Sequence, residues 1–351
     1  MTTLTTFQDL CIDIVVEILS YFNVHELFYS FCLLIPCLPK LLVNGRVRLH
    51  VRSNNSYFIR WILPHIQLAQ VYSLNVPTRP YNPSIFEFTG LRSLVLHDVD
   101  NPLLLFESSN NWPLYYLEHL SLHIRNQDIP STSSNTGTRV LERAFQLRRL
   151  KHFELHESKS SLKMVEMYDQ LIFPSTFKSS PIKCLIITVY CNWTTLQSML
   201  NYLPDLQHFR FRSSLRYFET RSPQFCFSLI RKLNLRLDGL QTENFVSLFR
   251  SAPVLRQLRL QCSFTHFKQC QINLLKSDSW IQVMNTYTPQ LKVLQIDLKF
   301  RLNNIDEKTI ETINDDLKIL NFKINVDSDN GNHCWQMAGV FRRFYSKEIF
   351  N

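Results

Sequence analysis

The chain has 351 residues, 45% of them hydrophobic and 19% charged, the balance of a folded globular protein with room for one large domain or two. Its 38 lysines and arginines against 29 acidic residues leave a formal charge of +9, which points toward anionic partners. Six glycines, too scattered for any GxGxxG or Walker loop, exclude nucleotide binding by those routes, and the longest uncharged apolar stretch, Leu27 to Pro39, falls short of the ~20 residues that span a bilayer.

Residues 1–10 carry no basic segment ahead of an apolar run, so no secretory leader is expected. The first element lies at FQDLCIDIVVEILSYFNVHELFYSF, Phe7 to Phe31. Leu10, Ile14, Ile18, Tyr21 and Phe22 recur at helical spacing, with Asp13, Glu17 and Ser20 as a narrow polar stripe opposite. Asn23, followed three residues later by Glu26, is placed to cap a second helix whose apolar face is Leu27, Phe28, Phe31, Leu34 and Ile35. Pro36 and Pro39 end it, and Leu38, Leu41 and Leu42 suggest a third short turn before Gly45. Two or three such helices cannot hide all these side chains among themselves, so the surplus meets either the following domain or another protein.

The same stretch resembles an F-box. Leu10 stands at its leucine, Asp13 at its acid, Ile18 at its isoleucine, Tyr21-Phe22 at its Tyr-Leu pair and Glu26-Leu27 at its Asp-Leu. Cys11 replaces the usual proline and Asp13 the usual glutamate. The resemblance covers roughly Phe7 to Leu42. It implies docking on a Skp-family adaptor of an SCF ubiquitin ligase, and through it on a cullin, with contacts from Leu10, Ile14, Ile18, Leu19, Tyr21, Phe22, Leu27 and Phe31. The alternative is a helical pair that caps the domain behind it.

After a basic connector, Asn44 to Tyr57, the hexapeptide apolar-x-x-apolar-x-apolar keeps returning. It reads VYSLNV from Val71, LRSLVL from Leu91, LEHLSL from Leu117, LKHFEL from Leu150 and IKCLII from Ile182. It continues as LQHFRF from Leu206, IRKLNL from Ile230, LRQLRL from Leu255, LKVLQI from Leu291 and LKILNF from Leu317. Between these lie helix faces: Leu196, Met199, Leu200 and Leu203; then Phe245, Leu248, Phe249 and Ala252; then Trp280, Val283, Met284 and Tyr287. Pro204, Pro253 and Pro289 stop the three helices, with the next strand predicted to begin two residues on.

Hexapeptide starts at 182, 206, 230 and 255 are similar in period and pattern to leucine-rich repeats. That resemblance implies an α/β architecture: a small N-terminal helical F-box and then an irregular leucine-rich-repeat solenoid, with a parallel sheet on the concave side and helices on the convex side. The predicted divisions are a helical F-box-like domain over 1–46, a connector and the start of the solenoid over 47–70, the leucine-rich-repeat solenoid over 71–325 and a capping tail over 326–351. The tail, WQMAGVFRRFYSKEIFN, reads as amphipathic, with Trp335, Val340, Phe341, Phe344 and Tyr345 apolar.

Strand alternation turns the third, fifth and seventh positions of each repeat to the concave side. They hold His97; His119 and His123; His152, Glu154 and His156; then His208, Arg210 and Arg212. Lys232, Asn234 and Arg236 follow, then Gln257, Arg259 and Gln261, Gln295 with Asp297, and Asn321 with Lys323. Arginine forks suit carboxylates and phosphates, and histidines add donors when protonated. The expected ligand is an acidic or phosphorylated protein segment held by His123, His156, His208, Arg210, Arg212, Lys232, Arg236 and Arg259. A solvated face with no single partner and a nucleic-acid-binding face are the alternatives, the latter weakened by the scarcity of aromatic side chains for stacking. A non-degradative scaffold would share the solenoid without needing the N-terminal helices.

No catalytic residue, metal centre or cofactor is expected. There is no nucleophile elbow, and only His333-Cys334 sets a histidine and a cysteine side by side as potential metal ligands. Nine cysteines without a CxxC pair fit a reduced cytosolic or nuclear setting, and Cys32, Cys37, Cys184, Cys191, Cys262 and Cys270 sit on apolar segments as core candidates.

Overall fold

The structure, a computed structural model, describes residues 10–22, 26–27, 49–52, 68–78, 88–107, 113–125, 136–157, 166–167, 179–188, 190–191, 199–214, 228–238, 249–264, 277–301, 307–329 and 332–342. Phe31, the pairs Cys32/Cys37 and Phe344/Tyr345, and Cys270 lie outside them. The chain divides into two compact units, Met1–Met164 and Val165–Asn351. Among the described residues, no helix is long and apolar enough to cross a membrane.

The first unit holds helix α1 (Ile12–Ser20), strands β1 (Leu49–Arg52), β2 (Val71–Pro77), β3 (Ser93–Val99), β4 (His119–Ile124) and β5 (His152–Glu157), and helices α2 (Leu104–Glu107) and α3 (Thr136–Phe145). The five strands pair in chain order and all run parallel. The hexapeptide explains the packing. Its fourth and sixth positions are fully inside, with Leu94, Leu96, Leu120, Leu122, Phe153 and Leu155 each at most 1% exposed. Burial of each such side chain stabilises the fold by roughly 1.5–3 kcal/mol. Helix α3 contributes Val140, Leu141, Ala144 and Phe145 to the core and leaves Arg139 and Arg143 exposed.

Two backbone features repeat with the hexapeptide. In the repeats that start at Leu91, Leu117, Leu150, Leu206, Leu255 and Leu291 the first apolar residue precedes the strand and sits in a turn, donating its amide to the carbonyl three residues back, as in Leu150 to Leu147 and Leu255 to Ala252, whereas Val71 already opens β2. The carbonyl of the second residue accepts the amides of the second and third residues of the next repeat. Glu118 thus holds Lys151 and His152 at 2.9 and 3.0 Å, and Arg231 holds Arg256 and Gln257 at 2.8 and 3.0 Å. These bonds fix each strand's register on its neighbour, so equal repeat positions lie side by side. After Pro204, Pro253 and Pro289 the strands therefore begin four residues on, at His208, Gln257 and Val293, rather than two.

The second unit holds the short pair β6 (Glu166–Met167) and β8 (Tyr190–Cys191), and a larger sheet. That sheet comprises β7 (Cys184–Ile187), β9 (His208–Ser214), β10 (Lys232–Asp238), β11 (Gln257–Phe264), β12 (Val293–Arg301), β13 (Phe322–Asp329) and β14 (Asn332–Arg342), with helices α4 (Ser277–Tyr287) and α5 (Glu307–Leu317). β7, β9, β10, β11 and β12 run parallel in that order. Leu233, Leu235, Leu258 and Leu260 are buried, while Arg259 between the last two is exposed and lies opposite Asn234. Behind the sheet, Phe249, Trp280 and Phe322 meet edge to face at 6.3 and 6.1 Å. Asp316 of α5 accepts the backbone amide and hydroxyl of Ser277 at 2.6 and 2.8 Å, satisfying the first turn of α4.

The last hexapeptide departs from the predicted pattern. Leu317 ends α5, Lys318–Leu320 form a 3-10 turn, and Asn321 takes the left-handed conformation at φ 58°. Phe322 then opens β13, which pairs antiparallel with β14, and β14 lies antiparallel between β13 and β12. Asn321 and Lys323 are therefore not a continuation of the parallel stripe. Gly339, opposite Phe322, permits the close approach: a Cβ there would stand 2.4 Å from the Asn321 carbonyl oxygen. Residues 332–342 of the predicted tail are thus a strand of the sheet, with Met337 buried.

Candidate functional site

On α1 the apolar residues divide between two faces. Val15 and Leu19, one helical turn apart, are buried, whereas Ile14 is 48% and Tyr21 79% exposed, with Ile18 half-buried on the same outward line. Tyr21 donates its hydroxyl to Glu17 at 3.1 Å, and hydrogen bonding to that carboxylate raises the phenol's pKa. Leu10 and Phe22 are half-buried, and Glu26-Leu27 has helical backbone. Leu19 and Leu27 have no accessible surface, which corrects their place among the predicted adaptor contacts, since a buried side chain offers no surface to a partner.

In the second unit, strand register arranges the outward side chains in rows. Cys184, His208, Lys232, Gln257 and Val293 form one; Ile186, Arg210, Asn234, Arg259 and Gln295 form the next. Together they line an open depression of about 350 Å³ with parts of Phe209, Leu233 and Leu258 at its floor. Adjacent strands are ~4.8 Å apart, so Arg210 and Arg259, two strands apart, flank a space of roughly 10 Å with Asn234 between them. Among the described residues, no carboxylate forms an ion pair with Arg210, Lys232 or Arg259. A like-charged group of this kind is complementary to an anion.

Arg212 and Arg236 are neighbours in a third row, beyond the depression. That row runs on to Gln261 and Asp297, where Asp297 accepts amide donors from Gln261 at 2.9 Å and Gln336 at 2.7 Å. The depression thus draws on His208, Arg210, Lys232 and Arg259 of the predicted substrate-binding residues. A further basic row was missed by considering only alternate strand positions: Lys183, Arg231, Arg256 and Lys292, the second residues of four hexapeptides, are all exposed. Their recurrence at one repeat position is visible in the sequence.

The two remaining predicted residues, His123 and His156, belong to the first unit, where they stack with centroids 4.6 Å apart. His97 lies 4.4 Å from His123 on the other side, and His119 meets His152 edge-on at 4.6 Å. Glu154 sits among them. Its Oε1 is 2.8 Å from His152 Nε2, and its Oε2 is 3.0 Å from His156 Nε2 and 2.9 Å from the Ser121 hydroxyl. The hydrogen bonds from His152, His156 and Ser121 hold this carboxyl well below the usual carboxylate range, against the opposing effect of burial.

Burial and the neighbouring His156 and His97 push the His123 imidazole down to about 4, and burial with His152 lowers His119. The extra donors expected from protonated histidines are therefore disfavoured at these two positions. One ligand atom from each of His119, His152 and Glu154 lies within 4.8 Å of the others, a grouping absent from the sequence expectations because its members come from two repeats.

No known protein family, curated protein or solved structure matches the chain.

Proposed function

We propose that the chain is the substrate receptor of an SCF-type ubiquitin ligase, a non-enzymatic subunit in which the first helices act as an F-box and the repeats as a leucine-rich-repeat solenoid. The observation that carries this reading is the outward apolar line of Ile14, Ile18 and Tyr21 on α1, side chains that a monomer gains nothing by exposing together. They coincide with positions that the F-box resemblance assigns to a Skp-family adaptor, through which a cullin is reached. The cationic depression of the second unit supports the other half. Arg210, Lys232 and Arg259 suit the carboxylates or phosphates of an acidic or phosphorylated substrate segment, and Ile186 and Val293 offer an apolar flank.

The test is co-purification from cell extract. The full chain is expected to carry a Skp-family adaptor, and Ile14→Asp with Tyr21→Asp to lose it, because each aspartate places an unpaired charge in an apolar interface. Equal recovery by both proteins would return α1 to the role of a cap. A captured partner displaced by a stoichiometric oligonucleotide would favour a nucleic-acid-binding scaffold in place of a substrate receptor.

A further inference from the structure

The histidine cluster of the first unit contains a donor set that the receptor reading leaves unused. We propose that His119, His152 and Glu154 form a binding site for a divalent transition-metal ion, zinc by the chemistry of the donors. One ligand atom from each of the three lies within 4.8 Å of the other two. Strand register creates the grouping. His119 of β4 lies opposite His152 of β5, and Glu154 projects from the same face of β5 two residues on.

The closest pair is almost at its metal-bound spacing. His152 Nε2 and Glu154 Oε1 are 2.8 Å apart. Two ligands each ~2.0–2.1 Å from a tetrahedral zinc stand ~3.3 Å from one another, so this pair opens by about 0.5 Å to admit the ion, and rotamer adjustment brings in the third ligand of a group that now spans up to 4.8 Å. It takes the place of the proton these two atoms share, which passes to solvent or to Nδ1, so that His152 ligates through Nε2 as the neutral ring with its proton on Nδ1.

The surrounding groups already orient the donors as a metal site requires. Ser121 and His156 hold the second oxygen of Glu154 at 2.9 and 3.0 Å, leaving the first to ligate alone. The Ser93 hydroxyl lies 2.9 Å from His119 Nδ1, which directs Nε2 of that ring to the metal. Two imidazoles and one carboxylate favour zinc over magnesium or calcium, which prefer oxygen throughout. Three protein ligands leave one position for water or for an anionic group of a bound partner.

The test uses the full chain, stripped with a chelator and titrated with Co²⁺ and then Zn²⁺. One equivalent of Co²⁺ is expected to give weak visible absorption without the thiolate charge-transfer band of a cysteine site, and zinc to displace it. His152→Gln and Glu154→Gln should abolish the absorption, while His156→Gln, which removes an orienting partner but no ligand, should weaken binding ~10–100-fold. His97→Gln should bind as the parent does. Zinc should also raise the melting temperature of the parent chain and leave that of Glu154→Gln unchanged, with circular dichroism establishing that each variant is folded. Absence of stoichiometric binding would overturn the proposal. So would binding that survives Glu154→Gln, carries a thiolate band, or falls equally with His97→Gln.

Discussion

Leu258 and Arg259 are adjacent in β11 and should differ sharply in what their truncation costs. Leu258 is 1% exposed and lies in register between Leu233 and Leu294, themselves 2% and 0% exposed. Leu258→Ala removes three carbon groups at ~0.8 kcal/mol each, a transfer loss of ~2.4 kcal/mol. The cavity left between its neighbours adds to this, for a total of about 3–4 kcal/mol, inside the ~2–5 kcal/mol range of such substitutions. Arg259 points away from the core and is exposed, so Arg259→Ala should stay within ~0.5 kcal/mol. Urea unfolding followed by circular dichroism reads both. With a slope of about 3 kcal/mol per molar, Leu258→Ala should lower the midpoint by about 1 M and Arg259→Ala by less than about 0.2 M. A larger shift for Arg259→Ala would mean that side-chain alternation in β11 is reversed, which would also turn the cations of the depression inward.

The His123 ring should titrate near pH 4 by NMR. As pH falls from about 6.5 toward 4, the unfolded chain binds a proton that the folded ring refuses, so stability should decline through that window; a midpoint near 6.5 would refute the burial of His123 and its crowding by His156 and His97 against the weaker pull of Glu154 and Asp98. Binding of a phosphorylated peptide to the depression should weaken as salt rises from about 50 to about 500 mM, and calorimetry showing no change would argue against Arg210, Lys232 and Arg259 as its contacts. Gly339→Ala should destabilise the second unit, since its methyl group would collide with the Asn321 carbonyl and the Phe322 backbone, and an unchanged melting temperature would contradict the β13–β14 approach.

The repeat strands were legible because three apolar positions in six, recurring every 24 or 25 residues over IKCLII, LQHFRF, IRKLNL and LRQLRL, leave a parallel strand few other ways to bury its leucines. The same pattern misplaced the strand starts. An apolar residue at position one is buried whether it stands in a strand or in a turn, and only the hydrogen bond to the residue three back distinguishes them, as from Leu206 to Leu203. LKILNF repeated the spacing yet joined an antiparallel pair. Pairing with β14 depends on a partner strand and on Gly339, which no local pattern encodes.

On α1, Leu19 and Ile18 look alike in a list of apolar residues, but a single helical step puts one in the core and the other on the outward line. The cationic rows followed from alternation, whereas the depression that selects Arg210 and Arg259 over Arg212 and Arg236 is a property of the assembled strands. His119, His152 and Glu154 were each on the predicted stripe. Their convergence required knowing that Glu118 holds Lys151 and His152 in register.

Parallel affinity purification of three full-length proteins tests most directly whether one chain combines an adaptor-docking helix with an anion-binding sheet face. The parent should recover both a Skp-family adaptor and acidic or phosphorylated proteins. Ile14→Asp with Tyr21→Asp should lose the adaptor and keep the acidic partners; Arg210→Glu with Arg259→Glu should lose the partners and keep the adaptor. Recovery of neither class by the parent, or unchanged recovery of both by the two variants, would contradict the receptor assignment.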